Sequence, residues 1–533
     1  MYSHMQQPPK PHLLPIVIFI CGASTMILEL VGSRIMAPYV GTSIYVWTNL
    51  IGVILAFLSL GYAWGGKLAD QKPSAGILSL VILGAAVWVA LIGLVYDPVL
   101  ILVQCGFHDT RVAALAGSLV FFGVPSTLLG MVLPYAVKLK IHSLGETGVT
   151  VGRLYALSTI GSIAGTFLTG FVLLSYMGNT LILFILSALL VLASLAASSS
   201  GGKIKIILLA ALTVLAASSN LLAAAIDGNN LVDSNTPYGR VWIYDLQGEE
   251  NKTLRMMQIN DELSSIKLLG NSNQLAAPYL HYYRLCAHFY PEIKKGLMLG
   301  GAGYSYPRDF FLAFPDALMD VVEIDPGVTN LAKKYFDLKE DPRLTIYHED
   351  ARTYLNRNQK IYNVIFSDVF RSSSIPFHLT TDAAVRKIYD ALDEKGVFIG
   401  NVISSVEGLS GQFLRAEVAT FKKFFPQVYI FGVQNPDDGT LVQNLIIVTL
   451  KSSKVPKFYS RNSGTHQYLQ HLWIKPIPED EPVLKDDFAP VERYSFGAIN
   501  TLQHPENPIL MYWKKTLSCP VCDFLKKKPV SSK

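Results

Sequence analysis

Charge is scarce in this chain: of its 533 residues only 16% are Asp, Glu, Lys or Arg, where an ordinary soluble protein carries about a quarter. Cysteine is scarcer still, with five in all, which excludes a fold stapled by a disulfide framework. The net charge of +5 is small and scattered along the chain, so there is no basic footprint for a nucleic-acid partner. No repeat of one half of the chain in the other is visible. What the sequence has in excess is apolar residues, 50% of the total. They are unevenly spread: long runs before Asp227 are nearly free of charge, and the text after it has the composition of an ordinary soluble domain. The boundaries that follow are a polytopic transmembrane domain at 1–226, a small β-rich subdomain with a connecting helix at 227–295, a Rossmann-like domain at 296–455 and a C-terminal extension at 456–533.

A helix that crosses a bilayer needs roughly 20 mainly apolar residues. Seven runs meet that need: Leu13–Val31, Tyr45–Trp64, Ala75–Val95, Val112–Leu139, Leu154–Met177, Leu181–Ala197 and Ile204–Ala225. The first is followed by further spans and by no cleavage motif, so it reads as a span rather than a signal peptide. Small residues four apart, Gly61 with Gly65 and Gly161 with Gly165, predict close helix–helix approach in lipid. Pro125 and Pro134 interrupt the fourth run and suggest a broken or re-entrant helix. Glu29 and Arg34, at the end of the first run, have two readings: an intramembrane functional pair, or interfacial anchors on a short amphipathic turn. Lys10, Lys67, Lys72, Lys138, Lys140, Lys203 and Lys205 all fall on one side of the seven runs, while the loops of the other side hold little beyond Arg34 and Arg111, which puts the N-terminus on the cytoplasmic side of a cell (inner) membrane. The loop "GGKLAD" resembles the cytoplasmic glycine-x3-aspartate loop of major-facilitator transporters.

The second half begins with "GRVWIYDL" and "LRMMQIND", a pattern of short strands that predicts a small antiparallel sheet. A helical stretch, "LAAPYLHYYRLCAHFYPEI", connects it to alternating strands and helices, the mark of an open, mostly parallel sheet. Such sheets bind ligands at the carboxyl ends of their strands. Those ends carry Gly300, Gly301 and Gly303, then Glu323 and Asp325, then Asp350, then Asp368. Glycines after the first strand let backbone approach a ligand, and an acid about 20 residues on is placed to accept from ribose hydroxyls. Glu323 fits that role, and Asp350 could accept from an adenine amino group.

These residues carry a resemblance. The glycine loop, "VEIDP", "DPRLTIYHEDAR", "YNVIFSDVF" and "SIPFHLTT" resemble spermidine synthases, and "ILELVGSRIMAPYVGTSIYVWTNLIGV" with "GMVLPYAVKL" resembles their membrane-fused relatives. The resemblance implies a helical membrane domain joined to an α/β S-adenosylmethionine-type transferase domain with a small N-terminal β-sheet. It implies S-adenosylmethionine or its decarboxylated form as cofactor, bound by Gly300, Gly301, Gly303, Glu323 and Asp350, with Asp368 as the catalytic base. It also places Tyr282 and Tyr304 at the substrate. No metal is implied.

Two positions depart from the family. Gly303 and Tyr304 stand where spermidine synthases carry an aspartate in the glycine loop. Arg371 stands where they carry a second aspartate three residues after the base. An arginine there repels a polyamine. It suits an anionic acceptor or the carboxylate of intact S-adenosylmethionine, or it pairs with Asp368 and closes the site. The expected activity is therefore a membrane-anchored transferase acting on a non-polyamine acceptor. The alternatives are an inactive scaffold that holds no cofactor and assembles a membrane complex, and, more weakly, a transporter. His378 reads either as a proton shuttle or as a residue satisfying backbone groups. Cys519 and Cys522 read as a redox pair, half a zinc site or a simple disulfide. Seven crossings put the second half outside, whereas a nucleoside cofactor wants it inside. The bilayer is the expected partner, with protein partners in the scaffold reading.

Overall fold

A computed structural model describes residues 13–107, 109–140, 147–198, 201–226, 231–247, 252–271, 274–370 and 375–501. The chain separates into two compact units, with the boundary at Asn229 and Asn230.

The described residues of the first unit form helices joined by short turns. Its long helices are α1 (Leu14–Val40), α2 (Ile44–Gln71), α3 (Ala75–Gly106), α4 (Thr110–Lys140), α5 (Thr147–Leu168, prolonged by a π-turn, Thr169–Leu173, and a last turn to Tyr176), α6 (Asn179–Ala197) and α7 (Gly202–Ile226). Among the described residues six helices, α1 to α6, are long and apolar enough to cross a membrane by length and composition. The side chains of 216–226, in the second half of the seventh run, lie outside the described residues. Two expectations are revised. Pro125 and Pro134 sit inside one continuous helix, α4, because proline in an apolar bundle is tolerated where neighbours and local adjustment satisfy the freed carbonyls. Glu29 and Arg34 lie within α1, which runs on to Val40, and so do not form a turn at its end. The glycine pairs are where helices touch: a Cβ on Gly61 of α2 would stand 2.2 Å from the Thr127 carbonyl oxygen of α4, and one on Gly161 of α5 would stand 2.2 Å from that of Phe19 in α1.

The second unit opens with a four-stranded antiparallel sheet, β1 (Leu231–Asn235), β2 (Arg240–Gln247), β3 (Thr253–Ile259) and β4 (Glu262–Leu268), paired in chain order. The connecting stretch is a 3-10 helix, Pro278–Leu285, with one α-turn, Cys286–Phe289, rather than one long helix.

A seven-stranded sheet follows: β5 (Lys295–Leu299), β6 (Leu318–Val322), β7 (Leu344–Tyr347), β8 (Tyr362–Ser367), β9 (Leu392–Ser404), β10 (Gln427–Gly432) and β11 (Gln443–Leu450), in the order β10-β11-β9-β8-β5-β6-β7. The five strands from β5 to β9 run parallel, and β10 and β11 close one edge antiparallel. The parallel strands bury both faces. Met298, Val364, Phe366 and Ile399 enter one core layer, while Leu297, Leu299, Ile365 and Phe398 enter the other. This alternation explains their near-continuous apolar runs. Trp473, Leu484 and Val491, all beyond residue 455, belong to the second layer. The start of the C-terminal segment is thus part of the core.

Candidate functional site

In the sheet order, β5 is flanked by β6 on one side and β8 on the other. The connections leave in opposite directions there, and the crevice at such a switch point is where doubly wound sheets take ligands. A cavity of about 470 Å³ opens at this place, within the size range of small-molecule sites.

The loop after β5 forms one wall. Gly300 has φ +89°, and a Cβ there would meet the Asp368 carbonyl oxygen at 2.3 Å, so only glycine fits between the two strand ends. Ala302 and Tyr304 also adopt positive φ, 41° and 53°. Non-glycine residues in that region carry strain and cluster at ligand-binding loops. The Glu323 carboxylate, at the end of β6, holds the loop in place. Its Oε2 accepts from the amides of Gly301 at 2.9 Å and Ala302 at 3.0 Å, and its Oε1 accepts from the Asp325 amide at 2.9 Å. Burial raises the Glu323 pKa, and these three amides offset part of the effect. A carboxylate offers about four acceptor positions, so one is left for a ligand hydroxyl.

Asp350, after β7, caps the helix Ala351–Arg357 through the Thr353 amide at 2.9 Å, and its Oδ2 lies 3.1 Å from His378 Nε2. Burial opposes its carboxylate, yet the Thr353 amide and His378 outweigh burial and leave its pKa below the usual range. Asp368 follows β8. Its Oδ2 accepts from the Tyr279 hydroxyl at 2.7 Å and its Oδ1 from Asn401 Nδ2 at 3.3 Å. Burial pushes its pKa up to about 6, against the pull of these two donors.

Gly300, Gly301, Glu323, Asp350, Asp368 and His378 therefore face one cavity. Gly303 does not: its amide donates to Ser265 Oγ at 2.8 Å, and a Cβ would strike Ser265 and Phe336. Tyr304 does not face it either. Its ring is fully buried beneath Gly301, with its hydroxyl 2.8 Å from Thr329 Oγ1, where it supports the loop instead of meeting substrate. Tyr282 turns into the core, its ring 5.0 Å from that of Tyr468. Tyr279 takes the place that Tyr282 was expected to fill: its hydroxyl donates to Asp368 Oδ2 at 2.7 Å. Arg371, Cys519 and Cys522 lie outside the described residues.

The lining holds six carboxylates, Glu262, Glu323, Asp325, Glu349, Asp350 and Asp368. Among the described lining residues there is no lysine or arginine. The described residues contain no cluster able to hold a metal ion.

This geometry coincides with a sequence match. Residues 283–459 match the spermine/spermidine synthase domain. The polyamine aminopropyltransferase of Vibrio vulnificus is 28% identical over 173 residues, 32% of this chain and 56% of that protein. The N-terminal histidine N-methyltransferase of Emericella nidulans is 31% identical over 142 residues, 26% of this chain and 25% of that protein. Among solved structures, a probable spermidine synthase from Corynebacterium glutamicum is 21% identical with a TM-score of 0.37, covering 48% of this chain and 91% of that one. The chain spans about half the length of the aminopropyltransferases it matches first. The matched stretch takes in Asp368, Asn401 and the whole glycine loop, while Tyr279 and the β4 wall of the cavity lie before it.

Proposed function

We propose that this protein is a membrane-anchored transferase that moves a group from an S-adenosyl-type sulfonium donor to an amine acceptor. The observation that carries this reading is the Asp368 carboxylate, held between Tyr279 and Asn401 with its pKa raised to about 6, facing a cavity whose described lining is acidic.

The residues present fit a nucleoside donor. Gly300 and Gly301 bring bare backbone to the cavity wall, Glu323 keeps one acceptor position open, and Asp350 stands one strand further along. When bound, such a donor supplies an electrophilic carbon beside a positively charged sulfur. The chain does the rest. An amine attacks only as the free base, and a carboxylate within hydrogen-bond reach takes its proton. Asp368 is ionised above about pH 6 and so is ready to accept that proton at neutral pH. The Tyr279 and Asn401 donors fix the direction in which its remaining lone pairs point. The surrounding carboxylates attract cationic ligands, which favours an amine over the anionic acceptor that Arg371 suggests in the sequence.

The test is turnover of S-adenosylmethionine or its decarboxylated form by the purified full chain against a panel of amines, including peptide amines, with Asp368→Asn beside it. Release of S-adenosylhomocysteine or methylthioadenosine that depends on both an amine and Asp368 supports the reading. Release that ignores Asp368 contradicts it.

A further inference from the structure

Residues beyond 459 lie outside the stretch that matches the synthase domain, yet one of them reaches toward the donor half of the cavity. Leu484 is fully buried; its carbonyl accepts from the Asp382 amide at 2.8 Å, and its amide donates to Thr420 Oγ1 at 3.0 Å. Lys485 and Phe488 then exchange backbone hydrogen bonds at 3.1 and 3.0 Å, which closes a tight turn around Asp486. The Asp486 carboxylate meets two donors. Its Oδ2 accepts from Arg352 Nη2 at 2.8 Å, and its Oδ1 accepts from the Thr381 hydroxyl.

Arg352 carries the contact onward. Its side chain is 15% exposed, and its Nη1 donates to the His378 carbonyl at 2.8 Å and to Thr381 Oγ1 at 3.2 Å. Arg352 is the second residue of the helix Ala351–Arg357, which Asp350 caps. The ring of His378 lies 3.1 Å from Asp350 Oδ2. One guanidinium therefore joins three segments: the helix after Asp350, the segment of His378 and the turn of Asp486. Its planar fork holds these donors at fixed angles to one another, so a change at one end is felt at the others.

We infer that Asp486 is a positioning residue for the nucleobase of the donor, acting on Asp350 through Arg352 and His378. The inference rests on the proposed reading of the cavity as a nucleoside site. Asp350 lines that cavity, and the Thr353 amide and His378 take one position on each of its oxygens. A carboxylate has about four acceptor positions, so two remain for the amino group of a base. Held from both oxygens, the carboxylate keeps those positions in one direction, and a hydrogen bond weakens steeply when its angle departs from line. Asp486 is the one carboxylate paired with Arg352 among the described residues, and it is 54% exposed. A half-exposed ion pair adds little to folding stability. The effect of Asp486 therefore belongs to binding.

The experiment is isothermal titration of the detergent-solubilised full chain with methylthioadenosine and with its hypoxanthine counterpart, in which an oxo group replaces the amino group. The wild type is expected to prefer the adenine form about tenfold, the order of one hydrogen bond to a charged group. Asp350→Asn should lose that preference. Asp486→Ala is expected to weaken methylthioadenosine about fivefold, within the coupling range of residues that share one hydrogen-bond network, and to narrow the preference. Adding Asp486→Ala to Asp350→Asn should cost nothing more, since the effect passes through Asp350. Should the alanine variant not fold, Arg352→Met breaks the same web at its centre and is expected to give the same loss. A purely structural role for Asp486 leaves both affinities of the folded protein where they were. That result, or losses that add in the double variant, overturns the inference alone. Equal preference in Asp350→Asn and wild type overturns the Asp350 assignment with it, and a wild type that binds neither nucleoside overturns the nucleoside reading as well.

Discussion

The Tyr279 hydroxyl donates to Asp368 Oδ2 at 2.7 Å across 89 positions of sequence. Tyr279 lies before the stretch that matches the spermine/spermidine synthase domain, and Asp368 follows the fourth parallel strand. The bond joins the two parts of the cavity wall at the atom proposed to take the proton.

Asp368→Asn is expected to lower turnover about 10²- to 10⁴-fold, the usual worth of a positioned general base. In the wild type, kcat/KM should rise with pH through about 6, where Asp368 loses its proton. Tyr279→Phe removes a donor that favours the carboxylate, so the same limb should move to higher pH. Steady-state kinetics across pH 5 to 8 check both.

The glycine loop makes a second prediction. A Cβ on Gly301 would stand 2.6 Å from the Tyr304 ring. Gly301→Ala should therefore displace either the loop or the ring. The expected loss is about 1–3 kcal/mol of stability, typical of overpacking, together with weakened donor binding. Thermal unfolding and calorimetry measure the two effects. Unchanged values in both would show that the loop is not held as described.

Stability against pH isolates Glu417. Its folded pKa is raised above 4.5 by burial, so the folded state keeps a proton that the unfolded chain gives up. The stability linked to that proton is full below the unfolded pKa and is lost as pH rises through the folded one. Glu417→Gln cannot lose it. The variant should match the wild type near pH 4 and be the more stable of the two at pH 8, as read by thermal unfolding at both values.

In the helical unit, a Cβ on Gly65 of α2 would lie 2.5 Å from Met131 Cα of α4. Gly65→Leu should separate the two helices and lower the unfolding temperature, whereas Gly66→Leu, where nothing stands within 4 Å, should not. Equal effects from the two substitutions would contradict the packing described for α2 and α4.

Much of this was legible in the residues. The parallel strands announced themselves as short apolar runs because both their faces are buried, and the acids that end them stood where the chain turns. Close helix contacts showed as glycines four apart. Tyr279, Tyr282, Tyr283 and Tyr304 could not be sorted by the same means. Four aromatic residues look alike until packing sorts them: Tyr279 bonds Asp368, Tyr282 packs on Tyr468, and the left-handed turn at Tyr304 buries its ring under the glycine loop. Asn401 and Glu417 gave no local signal at all. Each sits in an ordinary strand or helix pattern: the pairing of β9 beside β8 brings Asn401 to Asp368, and Glu417 is buried on the helix Gln412–Lys422. Of the six lining carboxylates, Glu323, Asp325, Asp350 and Asp368 stood at the strand ends, while Glu262 and Glu349 carried no signal of their own.

The central claim is that the cavity binds an S-adenosyl-type donor beside an ionisable Asp368. Isothermal titration of the detergent-solubilised full chain with S-adenosylmethionine, decarboxylated S-adenosylmethionine and methylthioadenosine tests it most directly. The account predicts saturable one-site binding of at least one sulfonium compound, with binding by Asp368→Asn that no longer varies with pH around 6. No binding of any of the three compounds by a folded protein would contradict it.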